Sequence, residues 1–153
     1  MTDFENRKFV AACKQEGLNP IQEFVFGEIL GVKFRSDFYF EFGNKEVSLE
    51  VDGGIWSNGR HNRASGYIEG MSKRNAYAML GIQQLVFTVQ EIEKHPTAII
   101  RCVKLALGFD IDAKFVFDSL YKKEREKRSV ARKKKAAIKK ITAAIKPLKK
   151  ISG

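Results

Sequence analysis

The sequence predicts an α/β domain with a mixed central sheet flanked by helices, followed by a basic helical arm. Two runs, residues 34–42 and 45–52, alternate between apolar and polar side chains, which is typical of half-buried strands. The predicted elements follow the order α-β-β-β-α-β-α, which favours a mixed sheet with helices on it. Basic residues dominate the C-terminal part. We therefore expect a folded domain over residues 1–112 and a basic arm over residues 113–153.

Length and composition limit the class of protein. The chain has 153 residues, of which 44% are hydrophobic and 30% charged, so one packed core is expected and disorder throughout is not. Cys13 and Cys102 are the two cysteines, and their spacing matches neither a metal motif nor a disulfide framework. No apolar run is long enough to span a bilayer, and the first residues lack the apolar segment of a signal peptide. We expect a cytoplasmic protein without a membrane span.

Local signals place the elements along the chain. Thr2 and Glu5 have the spacing of a capping box, which starts the first predicted helix. Pro96 suits the first turn of a later helix, and Pro147 is expected to interrupt the last one. The predicted helices cover residues 3–16, 66–80, 96–107 and the chain from 113 onward, and the predicted strands cover 23–26, 34–42, 45–52 and 82–88.

The net charge of +10 is distributed very unevenly. Residues 1–120 carry 14 Lys and Arg against 16 Asp and Glu, whereas residues 121–153 carry 14 against two. Such a segment usually contacts a polyanion, and a solubilising tail is the alternative. Ile138, Ile141, Ile145 and Leu148 form a thin apolar stripe, so a helix lying on an anionic membrane is a further alternative. Phosphate contact is the simpler use, and the lysines assigned to it are Lys133, Lys134, Lys135, Lys139 and Lys140.

The two alternating runs form a predicted hairpin. Gly43-Asn44 lies between them and suits a two-residue type II′ turn. The resulting register pairs Phe38 with Leu49 and places Phe34, Ser36, Phe38, Phe40 and Phe42 on one face. It also puts Asp37 opposite Glu50 and Arg35 opposite Asp52. A three-residue turn would break this pairing.

Two carboxylates facing each other repel unless a cation lies between them. Because hard oxygen ligands suit Mg²⁺, the Asp37–Glu50 pair is a candidate metal site. The alternative is a solvated polar face, since Glu41 and Glu46 would face each other in the same way near the turn.

Three linked motifs raise the weight of the metal site. These are R-x-D-F at residues 35–38, E-x-D-G-G at 50–54 and G-R-H at 59–61. Together they resemble the PD-(D/E)XK, or restriction-endonuclease-like, nuclease superfamily, and in particular the small endonucleases of the very-short-patch-repair type and their phage relatives. The resemblance covers about residues 15–90, so it includes neither the first helix nor the arm.

The resemblance implies a role for several residues. Asp37 and Glu50 would be the two acidic residues of the motif, and the carbonyl of Val51 would complete the metal shell. Asp52 shares the acidic face but stands where the motif has a lysine. Lys73 on the following helix would then supply the cation, although an ion pair with Glu69 on the helix surface is an equally good explanation of it.

Other candidates lie in the loop after the second run and on the first strand. His61 would move protons near the scissile phosphate, or would only brace the loop. Arg60 and Arg63 beside it would bind phosphate. Glu23 is either an accessory acidic residue or ordinary strand decoration, and Trp56 either stacks on a base or anchors the loop.

The resemblance thus implies a Mg²⁺-dependent endonuclease, with Mn²⁺ as a substitute metal, acting on DNA in the cytoplasm of a bacterial or phage-infected cell. A homodimer is compatible with cleavage of a duplex. The alternative is a non-catalytic nucleic-acid-binding protein that keeps the fold but lacks a working lysine. An adaptor that binds anionic membranes through the arm is a third class.

Overall fold

The computed structural model describes the backbone of residues 3–52 and 64–148. The helices are α1 (Asp3–Gln15), α2 (Ala64–Leu80), α3 (Val89–Lys94), α4 (Pro96–Ala106) and α5 (Ala113–Leu148), and the strands are β1 (Ile21–Phe26), β2 (Phe34–Phe42), β3 (Lys45–Asp52) and β4 (Gln83–Thr88). The predicted α/β class is confirmed. A short 3-10 helix, Glu28–Leu30, connects β1 to β2. Thr2 of the predicted capping box lies outside the described residues.

The four strands form one mixed sheet in the order β1-β2-β3-β4. β1, β2 and β3 are antiparallel, and the β2–β3 ladder has the predicted register, including Phe38 opposite Leu49 and Glu41 opposite Glu46. Gly43 has a φ of 60° while Asn44 does not have a positive φ, which agrees with the predicted type II′ turn. The turn residues therefore set the pairing of the two longest strands.

β4 lies parallel to β3, and α2 connects them. A parallel neighbour needs such a crossover, because the chain must return to the end of the sheet at which β3 begins. Immediately after β4 comes α3, which the sequence prediction missed. Thr88 and Glu91 form a full capping box at its start, so the Thr-x-x-Glu spacing was the signal available.

The pleat of β2 changes sides at Asp37, and here the prediction of one continuous apolar face is wrong. Phe38 packs edge-on against Phe9 of α1, with ring centroids 5.2 Å apart. Ser36, two residues away, instead bonds to Ser48 on the opposite face, where Phe34 also packs. The cause lies at Glu23, which has a left-handed φ of 53°; Glu23 and Asp37 are both missing from an otherwise continuous β1–β2 ladder. The chain rotates there, so the same alternation continues on the other side.

The sheet is covered on both faces. α1 and α4 contact each other on the face that carries Phe38 and Leu49, both of which are buried. α2 covers the opposite face, where the ring of Tyr77 stacks on Phe26 at 4.2 Å. Tyr39, Ala76 and Ile82 complete this second cluster. The core is therefore a three-layer α/β/α arrangement, and it leaves β1 and β4 as the sheet edges.

The chain divides into two compact units after Val116, so that the first turn of α5 belongs to the α/β unit. In the second unit, Lys133, Lys134, Lys135, Lys139 and Lys140 are all exposed along α5. The described part of α5 reaches Leu148, one residue beyond Pro147. Within the described ranges, no helix combines the length and apolar character that crossing a bilayer requires.

Candidate active site

The site lies where β2 and β3 separate. The β2–β3 ladder ends at the pair Phe38–Leu49, one pair short of the predicted Asp37–Glu50 pairing. Asp37 instead turns its carboxylate to the backbone of β3, where Oδ2 accepts a hydrogen bond from the N–H of Val51 at 2.7 Å. The two strands are thus joined at this point by a side chain rather than by backbone pairing. The change of pleat at Asp37 explains the difference, because it removes the regular geometry on which the prediction depended.

Glu50 is held by donors from two elements. Its Oε2 accepts a hydrogen bond from Lys73 Nζ at 2.6 Å, and its Oε1 accepts from the hydroxyl of Tyr77 at 2.5 Å. Ser48 Oγ donates to the same Oε1 at 3.2 Å. The Glu50 side chain is only 15% exposed and that of Lys73 23%. Charge-assisted hydrogen bonds between such largely buried side chains are stronger than those at the surface. The Glu50 carboxylate therefore has a defined orientation.

Two buried serines support the Glu50 side chain from beneath. Ser36 Oγ and Ser48 Oγ lie 2.7 Å apart, and Ser36 also donates to the carbonyl of Phe38 at 2.9 Å. Burial is the main cause that raises the pKa of Tyr77, and the Glu50 carboxylate raises it further. The phenol therefore keeps its proton and donates a hydrogen bond to Glu50. Sequence reasoning missed Ser36, Ser48 and Tyr77. Ser36 interrupts the predicted apolar face of β2, and that was the one signal available; Ser48 lies on the predicted polar face of β3 and gave none.

Lys73 reaches the acidic strand from α2. The sequence left two possibilities, a cation for the site or a surface ion pair with Glu69. In the structure its ammonium lies against Glu50, and 5.9 Å from the centre of the Tyr77 ring. A positive charge is therefore located beside the second acidic residue, although it comes from a helix and not from the position of Asp52.

Asp37 carries an unfavourable charge. Burial is the largest cause that raises its pKa, and the negative charges of Glu50 and Glu23 add to it, while the Val51 N–H and Lys73 oppose the shift. The charges of Glu50 and Glu23 thus both act on Asp37, although the predicted backbone register does not extend to Asp37 and Glu50. A bound cation would relieve this repulsion.

This raised pKa predicts how Asp37→Asn changes stability with pH. A folded-state pKa above the unfolded value means that folding favours the protonated acid, so wild-type stability falls as pH rises from about 4 through the folded pKa. Asn keeps the acceptor for Val51 but cannot ionise. We expect the variant to be more stable than wild type at neutral pH without metal, and equal to it near pH 3.

Thermal melting in a chelator across this pH range measures the effect, with the exposed Asp110→Asn as the matched control. An Asp37→Asn variant less stable than wild type at pH 7 would contradict the electrostatic description of this carboxylate.

Glu23 lies on β1, the strand that pairs with β2 on the side away from β3. Its left-handed φ is unusual for a residue other than glycine, aspartate or asparagine, and such conformations are found most often at functional sites. Glu23 Oε2 pairs with Arg35 Nη1 at 3.0 Å. The predicted backbone pairing of Arg35 with Asp52 is not formed, because the β2–β3 ladder ends at Phe38 and Leu49. Glu23 also lines a polar cavity of about 180 Å³ together with Asn6, Gln22, Asp37 and Val51.

Of the remaining predicted site residues in and after β3, the structure describes Asp52. Asp52 is the last residue of β3 and lines a groove with Glu50 and Lys73. His61, Arg60, Arg63 and Trp56 lie outside the described residues. Within the part of the chain that the structure describes, no group of three or more His, Cys, Asp and Glu side chains is arranged as a metal-ligand set. The predicted ligands are two carboxylates and a backbone carbonyl, and these hard oxygens do suit Mg²⁺.

Comparison of the chain with protein-family models, with curated proteins and with solved structures finds no match.

Proposed function

We propose that this protein is a metal-dependent nuclease with a restriction-endonuclease-like core, which hydrolyses phosphodiester bonds in DNA and holds the nucleic acid with a basic helical arm. The proposal rests on one observation above all. Two acidic residues from neighbouring strands and a lysine from the following helix converge where the strands separate: Asp37 bonds to the backbone at Val51, and Lys73 bonds to Glu50. Their chemistry is that of the PD-(D/E)XK motif, with its lysine supplied from elsewhere.

The proposal includes a metal ion beside the acidic residues. Asp37, Glu50 and the carbonyl of Val51 would hold Mg²⁺ or Mn²⁺, which lowers the pKa of a bound water and neutralises charge on phosphate oxygens. Burial, and after it the negative charges of Glu50 and Glu23, raise the pKa of Asp37, and a bound cation would oppose these effects. Lys73 places a positive charge where negative charge develops on the reacting phosphate. Tyr77 and Ser48 hold the other oxygen of Glu50, so the carboxylate does not rotate away.

The arm supplies affinity in this proposal. Its exposed lysines contact phosphates without reading bases, so binding through the arm is independent of sequence. In this proposal the α/β unit cleaves the DNA, and the helical arm binds it and raises its local concentration. A cytoplasmic location and a homodimer for duplex cleavage belong to the same proposal.

Removing residues 121–153 should weaken DNA binding and flatten its salt dependence. Each lost phosphate contact lowers the slope of log affinity against log salt by about 0.9 for duplex DNA. Fluorescence anisotropy with one duplex at several salt concentrations measures this, and a melting-temperature response to Mg²⁺ tests whether the α/β unit still binds metal. An unchanged salt slope in the truncated protein would mean that the arm has another partner.

Cleavage of a panel of labelled DNAs tests the activity itself. Linear, nicked, branched and single-stranded molecules are incubated with the full chain in Mg²⁺, in Mn²⁺ and in a chelator. Cleavage that needs the cation and is lost in Asp37→Asn supports the proposal. The second candidate, a non-catalytic binding protein, is favoured by the occupied state of Glu50, whose two oxygens already accept three hydrogen bonds. It predicts DNA binding with no cleavage in any cation.

A further inference from the structure

A groove of about 300 Å³ begins at the candidate active site and runs between α2 and the edge strand β4. One wall contains Lys73, Arg74 and Tyr67 of α2, the other contains Gln84 and Val86 of β4, and the end of β3 closes it. Glu50, Val51 and Asp52 all line it, so whatever occupies the groove is continuous with the reacting position. We propose that the groove holds one unpaired nucleotide of a single DNA strand, next to the bond that is cleaved; this inference rests on the proposed function.

The size of the groove favours a single nucleotide. Pockets for small ligands cover about 300–1,000 Å³, and this one lies at the lower limit of that range. A base turned out of the stack is a smaller occupant than a stacked base pair, so we assign the groove to an unpaired base. The unpaired base is therefore the part of the substrate that the groove selects.

The surfaces of the two walls match a base and its phosphate. Tyr67 is 57% exposed and Val86 is 51% exposed, so both present apolar surface at the groove. An exposed aromatic ring offers a stacking surface to any base. Arg74 Nε bonds to the carbonyl of Gly70 at 3.3 Å, which uses one of its five N–H donors and keeps the guanidinium at the groove. The basic arm makes a nucleic acid a better fit than a peptide added to β4.

Gly70 lines the groove and places no side chain in it. It lies in the middle of α2, where glycine is the least favourable residue apart from proline. A Cβ added there would meet no atom of the described protein within 4 Å. Close packing around this position therefore does not require the glycine, and because Gly70 lines the groove, we expect a larger side chain there to occupy part of it.

The test compares two short oligonucleotides of equal charge in a chelator, so that no cleavage occurs. One is single-stranded oligothymidylate and the other is the same strand without bases; phosphate contacts of the arm contribute equally to both. Anisotropy with the full chain gives the ratio of the two affinities. We expect wild type to prefer the strand with bases by about 5- to 150-fold, the range for stacking one base.

Two variants examine the groove and one serves as the control. Gly70→Leu fills the groove and Tyr67→Ala removes the stacking surface, so both should lose the preference while binding the baseless strand as wild type does. Ile68→Ala removes an equally exposed apolar side chain of α2 that does not line the groove, and should keep it. Melting is expected to show Gly70→Leu at least as stable as wild type, and Gly70→Ala repeats the test with a smaller insertion.

Equal binding of both strands by wild type would overturn the inference, and so would a preference that survives in Gly70→Leu. A preference for blunt duplex that the groove variants abolish would also overturn it, because the occupant would not be a single strand. The nuclease proposal fails separately. A base preference without any cleavage contradicts the nuclease alone, whereas cleavage without a base preference contradicts the groove alone.

Discussion

Glu50→Gln should abolish cation-dependent cleavage and also destabilise the fold, a combination that distinguishes it from Asp37→Asn. An amide cannot replace a carboxylate as an anionic metal ligand, and losing such a positioned charge lowers turnover by about 10²- to 10³-fold or more. Gln also cannot form the ion pair with Lys73, whose ammonium lies 2.6 Å from the carboxylate. Because this pair is largely buried, we expect a loss of about 1–3 kcal/mol in the free energy of unfolding.

Cleavage assays and melting in a chelator measure the two effects. Glu46→Gln is the matched control: it makes the same chemical change on the same strand, at an exposed position opposite Glu41. Asp37→Asn should be equally inactive and yet more stable than wild type at neutral pH. If both variants shift the melting temperature in the same direction, the proposed difference between Glu50, which is paired with Lys73, and Asp37, whose charged form is disfavoured by burial, is wrong. If Glu50→Gln cleaves normally, Glu50 is not a metal ligand.

Lys73→Met should reduce turnover by roughly 10²-fold or more, the usual scale for a positioned electrostatic group. Methionine keeps the length and packing of the lysine stem but not its charge. DNA affinity should change little, because the arm provides most of the phosphate contacts. The loss should therefore appear in the rate at saturating DNA rather than in the concentration needed for saturation.

Lys104→Met provides the control for Lys73→Met. Lys104 forms an ion pair with Glu16 at 2.8 Å, so the same substitution removes a similar contact away from the site. We expect it to cleave at the wild-type rate. His61→Ala separates the other candidate for this role: were histidine the group that moves the proton, the pH dependence of cleavage near neutrality would change in this variant and not in Lys73→Met. Wild-type rates in both variants would show that neither residue acts in catalysis.

Asp37 and Glu50 were predicted to interact because a regular strand register would pair them. In the structure the charge of Glu50 acts on Asp37 although that register ends before it reaches them. The register around Gly43-Asn44 is confirmed up to Phe38 and Leu49, because turn chemistry and alternation are local. The ladder then ends, since Glu23 on a third strand adopts a left-handed backbone and the pleat changes at Asp37. No pattern within residues 34–42 could reveal a perturbation that involves β1.

Lys73 and Tyr77 illustrate the limit of reasoning from spacing. Both lie on the same side of α2, four residues apart, and that much is visible in the sequence. The sequence does not say whether this side meets Glu50 or solvent, because helix patterns give a face but not its partner. The pairing of the two serines beneath Glu50 could not be predicted for the same reason, because only the sheet brings their hydroxyl oxygens to 2.7 Å from each other.

The sequence by itself determined the order of elements apart from α3, the hairpin register near its turn, the residues of the acidic strand and the concentration of positive charge in the arm. Each of these depends on residues close together along the chain. Tertiary structure decided which carboxylate is paired with a cation and which has its charged form disfavoured. It also decided which cation contacts Glu50, and that a groove opens beside the site. Those features depend on α2 packing across the sheet and on β1 turning the pleat of β2, and such long-range contacts have no local signature in the chain.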